Sequence, residues 1–365
     1  MIVSEPRRGR LPARVLALVA AAAMVGASLA VRALVLDDDG PGDGGGRAGT
    51  PRLACVTELR AVCEAVASGD AEVVVEPSGR TEATLAAAAT PGDAGIDAWL
   101  AYAPSVGIVV DARERAGLEP IVEPAGTPLA RSPLVLVARA DRAAALASWC
   151  GGEVSWRCIG DAAGRPWPEV GGQETWGRVR PAHADPVATA DGLLALGHAA
   201  GTFLAAGGTG GLTPDDVSRL DWETSDTFPG WFQRLQRAIP ADAFDGGDPF
   251  ARFLQTRLTA YDLVATTEAA ATTGLRRAAG DVRDAAEVLY AAPVATADVV
   301  LVAVGGTDLG DLPAAVRRAL ADGGFRTAGS SDAPAGGAPA LPPTDGLPAP
   351  GALGALRDYW RGVVR

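Results

Sequence analysis

Arg52-Leu-Ala-Cys-Val56-Thr-Glu-Leu-Arg-Ala-Val-Cys63-Glu-Ala-Val-Ala67-Ser-Gly-Asp-Ala-Glu72-Val-Val-Val-Glu76 decides the fold of this chain. Leu53 to Val56 is short, apolar and β-like, Glu58 to Ala67 has helical spacing, and Glu72 to Val75 is a β-branched run that stops at Glu76-Pro-Ser78-Gly. The alternation continues outward. A helix is expected through Ala83 to Ala89, then an apolar strand over Gly95-Ile-Asp-Ala-Trp99-Leu100. Strands alternating with helices predict βαβ units, a parallel sheet covered by helices, and so an α/β fold. In such sheets ligands gather at the carboxyl ends of the strands, a rule that picks out Ser78, Thr81, Tyr102 and Ser105.

At 365 residues the chain exceeds what one hydrophobic core usually holds, which suggests about two compact units. Its 48% hydrophobic and 21% charged content is that of a globular protein. All 32 basic residues are arginine, a bias attributed to base composition in the coding sequence rather than to function. The net charge is -12, and no run of arginines is interleaved with aromatic residues, which argues against nucleic acid as a partner. Neither His183 nor His198 has a cysteine or second histidine at a metal-ligand spacing. Both are expected to pack on a helix or face solvent, and no metal or cofactor is expected.

Val15 to Leu36 is apolar except for Arg32, follows a basic start at Arg7 to Arg14, and precedes Asp37-Asp-Asp. That pattern predicts a single membrane-spanning signal anchor over residues 1–36, with the amino end in the cytoplasm and the body extracytoplasmic. Cleavage after Ser28-Leu-Ala30 is the competing expectation and leaves a secreted body in the same compartment. Residues 37–51 read as a flexible linker rich in Gly and Asp. Cys55 lies too far beyond the apolar run for lipidation. In an oxidising compartment Cys55, Cys63, Cys150 and Cys158 suggest two disulfides. Three pairings exist; the two local ones are favoured because each spans the same short interval, and Cys55 must then lie before the helix that carries Cys63.

Further along, Leu134 to Val137 reads as a buried strand and Asp141 to Trp149 as a helix. Arg180-Pro-Ala-His-Ala-Asp185-Pro-Val-Ala-Thr189 reads as a loop that feeds a helix through Leu193, Leu196 and Phe203. Asp185 or Thr189 can cap that helix, and its remaining N–H groups offer a seat to an anionic or strongly polar ligand. Gly207 to Gly211 lacks the residues of a phosphate loop and reads as a turn. Trp222, Phe228, Trp231 and Phe232 are expected to pack a lobe edge rather than stack on a ligand. A buried strand over Ala295 to Ala303, a helix over Leu312 to Ala321, a linker over 328–350 and a final helix over Gly354 to Val364 complete the chain.

Several segments in this order resemble the type II periplasmic (extracytoplasmic) solute-binding proteins, in particular actinobacterial substrate-binding modules related to the molybdate-binding group. They are Asp97-Ala-Trp-Leu-Ala-Tyr-Ala-Pro-Ser105 through Arg113, Leu129-Ala-Arg-Ser132-Pro-Leu-Val-Leu-Val137, Ala184-Asp-Pro186 to Leu196, Thr259-Ala-Tyr261-Asp to Glu268, and Gly346-Leu-Pro-Ala-Pro-Gly351. The resemblance implies two α/β lobes joined by two crossings: lobe 1 over 52–138, lobe 2 over 139–262, and a return to lobe 1 over 263–365. In related actinobacterial proteins the module is often fused to a von Willebrand type A domain, whose Asp-x-Ser-x-Ser does not occur in this sequence, so the binding module alone is expected. Its ligand groups would fall on Ser78, Thr81, Tyr102, Ser105 and Ser132 from lobe 1, with Asp185, Thr189 and Tyr261 from lobe 2. The chain departs from many relatives at Ala54-Cys55-Val56-Thr57, where small hydroxyl residues are usual. The implied function is capture of a small polar or anionic solute, with an ABC-type permease as partner. A sensory or cell-envelope interaction module of the same fold is the alternative. No nucleophile motif suggests an enzyme.

Overall fold

Apolar Leu53 to Val56, each fully buried, form the strand from which the first sheet grows. The structure is a computed structural model that describes residues 50–67, 71–207, 213–327 and 338–364. The expected anchor over 1–36, the linker up to 49, the glycines at 208–211 and the first part of the 328–350 segment lie outside the described residues. Among the described residues no helix is long and apolar enough to cross a membrane.

Strands and helices alternate from the start: β1 (Arg52–Val56), α1 (Arg60–Val66), β2 (Glu72–Glu76), α2 (Ser78–Ala87), β3 (Ala98–Tyr102), α3 (Ala103–Arg115) and the long β4 (Ala130–Arg139). Next come α4 (Ala140–Trp149), α5 (Trp156–Ala162), β5 (Pro181–Ala182), α6 (Ala190–Gly207), α7 (Arg219–Thr224), α8 (Phe228–Ala238) and α9 (Pro249–Gln255). The chain closes with β6 (Leu263–Thr267), α10 (Glu268–Arg277), α11 (Gly280–Asp284), β7 (Ala286–Leu289), β8 (Thr296–Ala303), α12 (Leu312–Asp322), β9 (Arg326–Thr327) and α13 (Pro350–Val364).

β1 pairs in parallel with β2 and β3, as the alternation requires, but β3 and β4 both pair antiparallel with β8, so the sheet is mixed. The order of the first sheet is β2-β1-β3-β8-β4. β4 crosses between sheets: Ala130 to Pro133 pair with β8, whereas Leu134 to Ala138 pair with β6 and Leu136 to Arg139 with β7. In this second half β4 is buried on both faces. Val135 and Val137 enter one cluster with Phe253 and Tyr261, while Leu136 and Ala138 enter another with Trp156 and Leu196.

Two features differ from expectation. The return to the first lobe does not begin at 263, because the outer half of β4 offers ladder edges that β6 and β7 fill; β8 makes the return. The final helix is longer than expected, starts at Pro350 and joins both cores, with Leu353 in the first and Leu356 and Trp360 in the second. The aromatic group behaves as expected: Trp222, Phe228, Trp231 and Phe232 are buried, and Trp231 stacks on Phe203 at 4.3 Å.

Both disulfides are local, Cys55–Cys63 and Cys150–Cys158, each closing a separation of 8 residues. Cys55 lies at the end of β1 and Cys63 inside α1, so the bridge fixes the turn between them. Replacing Cys55 and Cys63 by alanine is expected to lower stability by about 2.5 kcal/mol through the lost loop constraint, read from urea unfolding. An unchanged midpoint would mean that packing alone holds the turn.

Candidate functional site

The carboxyl ends of β1, β2 and β3 open onto the start of α6. β1 runs into a tight turn at Thr57–Leu59 that projects Glu58, while β2 and β3 run directly into α2 and α3. The second helix begins at Ser78 rather than near Ala83, which puts Ser78 and Thr81 in its first turn. Ser78 and Ser105 are 1% exposed, and their hydroxyls lie 3.0 Å apart. Ser78 also donates to Glu82 Oε1 at 2.9 Å, and Glu82 is bound in turn by Arg357 of α13. Thr81 donates to Glu76 Oε1 at 2.7 Å. The hydroxyls expected to meet a ligand are therefore engaged within the protein.

The facing loop is built as the cap signals suggest. The Val187 N–H donates to Asp185 Oδ1 at 2.8 Å, and Thr189 Oγ1 donates to the Asp185 carbonyl at 2.8 Å while accepting from the Gly192 N–H at 3.2 Å. The first free N–H groups of α6 do not await a ligand. Glu58 Oε1 accepts from Ala190 N at 2.8 Å and Asp191 N at 3.3 Å, so a carboxylate from the first lobe fills the anion seat read from the sequence. Nearby, Gly79 N donates to Ala188 O at 3.3 Å. A Cβ at Gly79 would fall 2.1 Å from the Val187 carbonyl oxygen, so only glycine permits this approach.

Electrostatics concentrate where Glu58, Asp191 and Tyr102 meet. Burial raises the Glu58 carboxyl above its usual range. Burial, reinforced by Glu58 and Asp248, raises Asp191 well above its own. Tyr102 is pushed well up by burial and then by the two carboxylates. Beside Glu58 the surface opens into a pocket of about 270 Å³, bounded by Ala61 and Ala65 of α1, Thr267 at the head of α10, Thr273, Arg276 and Arg277 along that helix, and Asp322 and Phe325 of the α12 region. Its wall carries Arg276 and Arg277 as well as Glu58 and Asp322, so it presents donors and acceptors alike and suits a small polar solute.

Ser132 and Tyr261 stand apart from this group. Ser132 Oγ accepts from Ala269 N at 3.0 Å and so secures α10 to β4 at the crossing. Tyr261 packs beside Phe253 in the cluster on one face of the second sheet, and burial pushes its hydroxyl up to about 12. Ser78, Thr81, Tyr102, Ser105, Asp185 and Thr189 are brought together at the facing strand and helix ends. Glu58, Glu82, Asp191 and Arg357 lie among these candidate residues and were missed by hydroxyl counting. The signal for Glu58 was its place between Cys55 and Cys63, just past the end of a strand.

Both histidines are 1% exposed. His183 approaches Gln236 Oε1 at 3.2 Å, and burial lowers its pKa. Trp156 Nε1 donates to His198 Nδ1 at 3.2 Å and His198 Nε2 donates to the Pro293 carbonyl at 2.8 Å, a pattern that needs the neutral ring. Burial lowers His198 from 6.5 to about 4. The unfolded chain then binds a proton that the folded one refuses, so stability present above pH 6.5 is lost as pH falls toward 4. His198→Gln is expected to flatten that limb of the stability–pH curve; an unaltered limb would assign it to other groups. Among the described residues no group of three metal-ligating side chains forms a metal site.

This topology, with facing strand and helix ends between two cores, is the two-lobed α/β fold of the type II periplasmic binding proteins. Among solved structures, the chain is similar to the periplasmic binding protein AfuA from Actinobacillus pleuropneumoniae with exogenous fructose-6-phosphate bound, at TM-score 0.54 and 12% identity over 87% of this chain and 99% of that one. A periplasmic thiamin binding protein matches at TM-score 0.53 and 13% identity, covering 89% of this chain and 100% of that one. The periplasmic binding protein P5PA matches at TM-score 0.53 and 10% identity, covering 87% and 100%. At these identities the likeness is one of fold. No protein-family model matches the chain, and none of the curated proteins matches it in sequence.

Proposed function

We propose that this chain is an extracytoplasmic solute-binding protein that closes two lobes on a small polar solute and offers the closed form to a membrane partner such as an ABC-type permease. The observation that carries this reading is the meeting of strand ends from one lobe with a helix start from the other, where Gly79 bonds Ala188 and Glu58 bonds α6. Ligands of open α/β sheets bind at such ends. The fold neighbours are periplasmic binding proteins, one with fructose-6-phosphate bound and one for thiamin, which supports binding rather than catalysis. The order of segments from Asp97 to Gly351 supports kinship with actinobacterial modules of the molybdate-related group, and the apolar run Val15 to Leu36 supports a membrane tether. Carboxylates and guanidiniums stand together beside Glu58, which fits the small polar solute among the polar or anionic ones expected.

A thermal-shift panel of sugars, amines, amino acids and oxyanions tests the reading. A bound solute at 100 times its Kd raises stability by about 2.7 kcal/mol, so a hit registers as a clear rise in Tm. One observation favours the second reading, an interaction module without ligand: the protein's own Glu58 occupies the helix terminus. Silence across the whole panel would select that module.

A further inference from the structure

The Asp191 carboxylate is only half used. It lies in the first turn of α6, where Glu58 reaches in from the first lobe, yet its Oδ1 is buried with no hydrogen-bond partner. Both Glu58 oxygens are engaged, Oε1 by the Ala190 and Asp191 N–H groups and Oε2 by the Thr57 hydroxyl. A buried carboxylate oxygen without a donor costs stability, and the fold keeps that cost where two lobes meet.

Asp191 lines a recess of about 10 Å³, room for one water-sized group. Asp191, Ala195 and His198 face it from α6 at the i, i+4, i+7 spacing of one helical stripe, and Leu134, Trp156 and Thr266 stand among the other walls. Among the described residues that line it, only Asp191 and His198 are ionisable, and His198 is neutral in its bonds to Trp156 and the Pro293 carbonyl. The recess is thus a single acid among mostly apolar walls, whereas Arg276 and Arg277 line the separate pocket beside Glu58. The charged neighbours of Asp191 are Glu58, from the turn after β1, and Asp248, just ahead of α9, while the Tyr102 hydroxyl at the end of β3 bonds it. A positive group in the recess relieves this crowding of acids. A primary ammonium matches on each count: it is about the size of a water, it brings N–H donors, and it carries the charge. A guanidinium or a trimethylammonium is too large for the recess. Among the described residues no three ligating side chains gather to hold a metal ion.

We propose that Asp191 sets the class of solute: the captured molecule carries a primary ammonium group, which enters the recess and donates a hydrogen bond to Asp191 Oδ1. This inference rests on the solute-binding reading above and narrows it. The test is calorimetric titration of the full-length protein with putrescine, ethanolamine and every amine that registers in the thermal-shift panel. Each is paired with its hydroxyl counterpart, butanediol and ethylene glycol for the first two, and choline serves as the bulky cation. At least one amine is expected to bind, with its hydroxyl counterpart and choline weaker by about tenfold or more, the worth of a hydrogen bond to a charged group. Asp191→Asn, which keeps the shape of the side chain, is expected to lose about tenfold or more for the amine. Asp284→Asn, at an exposed carboxylate on α11, should stay within about twofold of wild type. The inference is overturned if Asp191→Asn binds the amine as tightly as wild type does, or if a hydroxyl counterpart or choline binds as tightly as the amine. Binding of amine-free solutes alone also overturns it while leaving the solute-binding reading in place. Silence from every amine and from the whole panel ends both.

Discussion

Arg357→Met is expected to cost about 3–5 kcal/mol, the largest loss from any single substitution considered for this protein. The Arg357 and Glu82 side chains are 14% and 6% exposed, so water does little to screen their ion pair. Removing the guanidinium leaves the Glu82 carboxylate buried with only the Ser78 hydroxyl as donor. The penalty comes from an uncompensated charge, so the double variant Glu82→Gln with Arg357→Met should recover most of it, since the neutral amide oxygen can still accept from Ser78. Urea midpoints of the two single variants and the double variant decide the matter. A double variant as weak as Arg357→Met alone would mean that packing of α13, not charge, is what the arginine supplies. The effect reaches the site because Ser78 bonds both Glu82 and Ser105.

The second large effect has the opposite sign. Asp191→Asn is expected to stabilise the protein at neutral pH, by roughly 3 kcal/mol if an ordinary residual desolvation penalty is relieved. Burial raises Asp191 well above its ordinary 3.8 and raises Glu58 above its ordinary 4.5. The folded state therefore keeps protons that the unfolded state releases. Stability from this pair is fully present below about pH 4 and is lost as pH rises through the raised folded values. Asp191→Asn should abolish most of that decline, while Glu58→Gln, which keeps an acceptor for Ala190 N, should reduce it. Chemical denaturation of wild type and both variants at pH steps from 4 to 8 measures the slopes. Identical slopes would show that the carboxylates carry no shared proton and lie in a wetter setting. A stability cost retained where two lobes meet is the kind of local conflict found at functional sites.

The sequence reading succeeded where a period was strong. The alternation from Leu53 to Leu100 and the apolar run over Val299 to Val302 mapped onto strands because each strand is a short unbroken apolar run, fully buried in β1 and β3 and half-buried in β2. The local disulfides followed from equal spacing at strand and helix ends. Three features were not legible. The direction of β8 depends on how the chain returns after β7, which no local pattern encodes. The double role of β4 reflects partners far away in sequence, since Leu134 to Val137 reads the same whether its neighbour is β6 or β8. The start of α2 was set too late because Ser78-Gly-Arg carries turn residues that tertiary contacts drew into a helix.

The site was half legible for a related reason. Strand-end counting found Ser78 and Ser105 but could not see that they bond one another or that Glu82 and Arg357, 275 residues apart, lie beside them. Asp185 and Thr189 were recognisable as capping residues from their types. The acid that completes the same helix start arrives from 132 residues upstream, beyond the reach of any capping rule. Tyr261 was drawn into the expected ligand set by family position, whereas its ring belongs to the core around Phe253.

The central claim is that the two lobes part and shut at Gly79 and Glu58, and an interlobe distance tests it most directly. Spin labels at Arg115→Cys and Gln173→Cys, both exposed positions on opposite lobes, report that distance by pulsed dipolar spectroscopy. Gly79→Val drives a side chain into the Val187 carbonyl, so the account predicts a longer distance in that variant, an intact far-ultraviolet spectrum, and a short distance in the unsubstituted protein that narrows further with a solute found by thermal shift. Superimposable distance distributions for the two proteins, with and without solute, would contradict it.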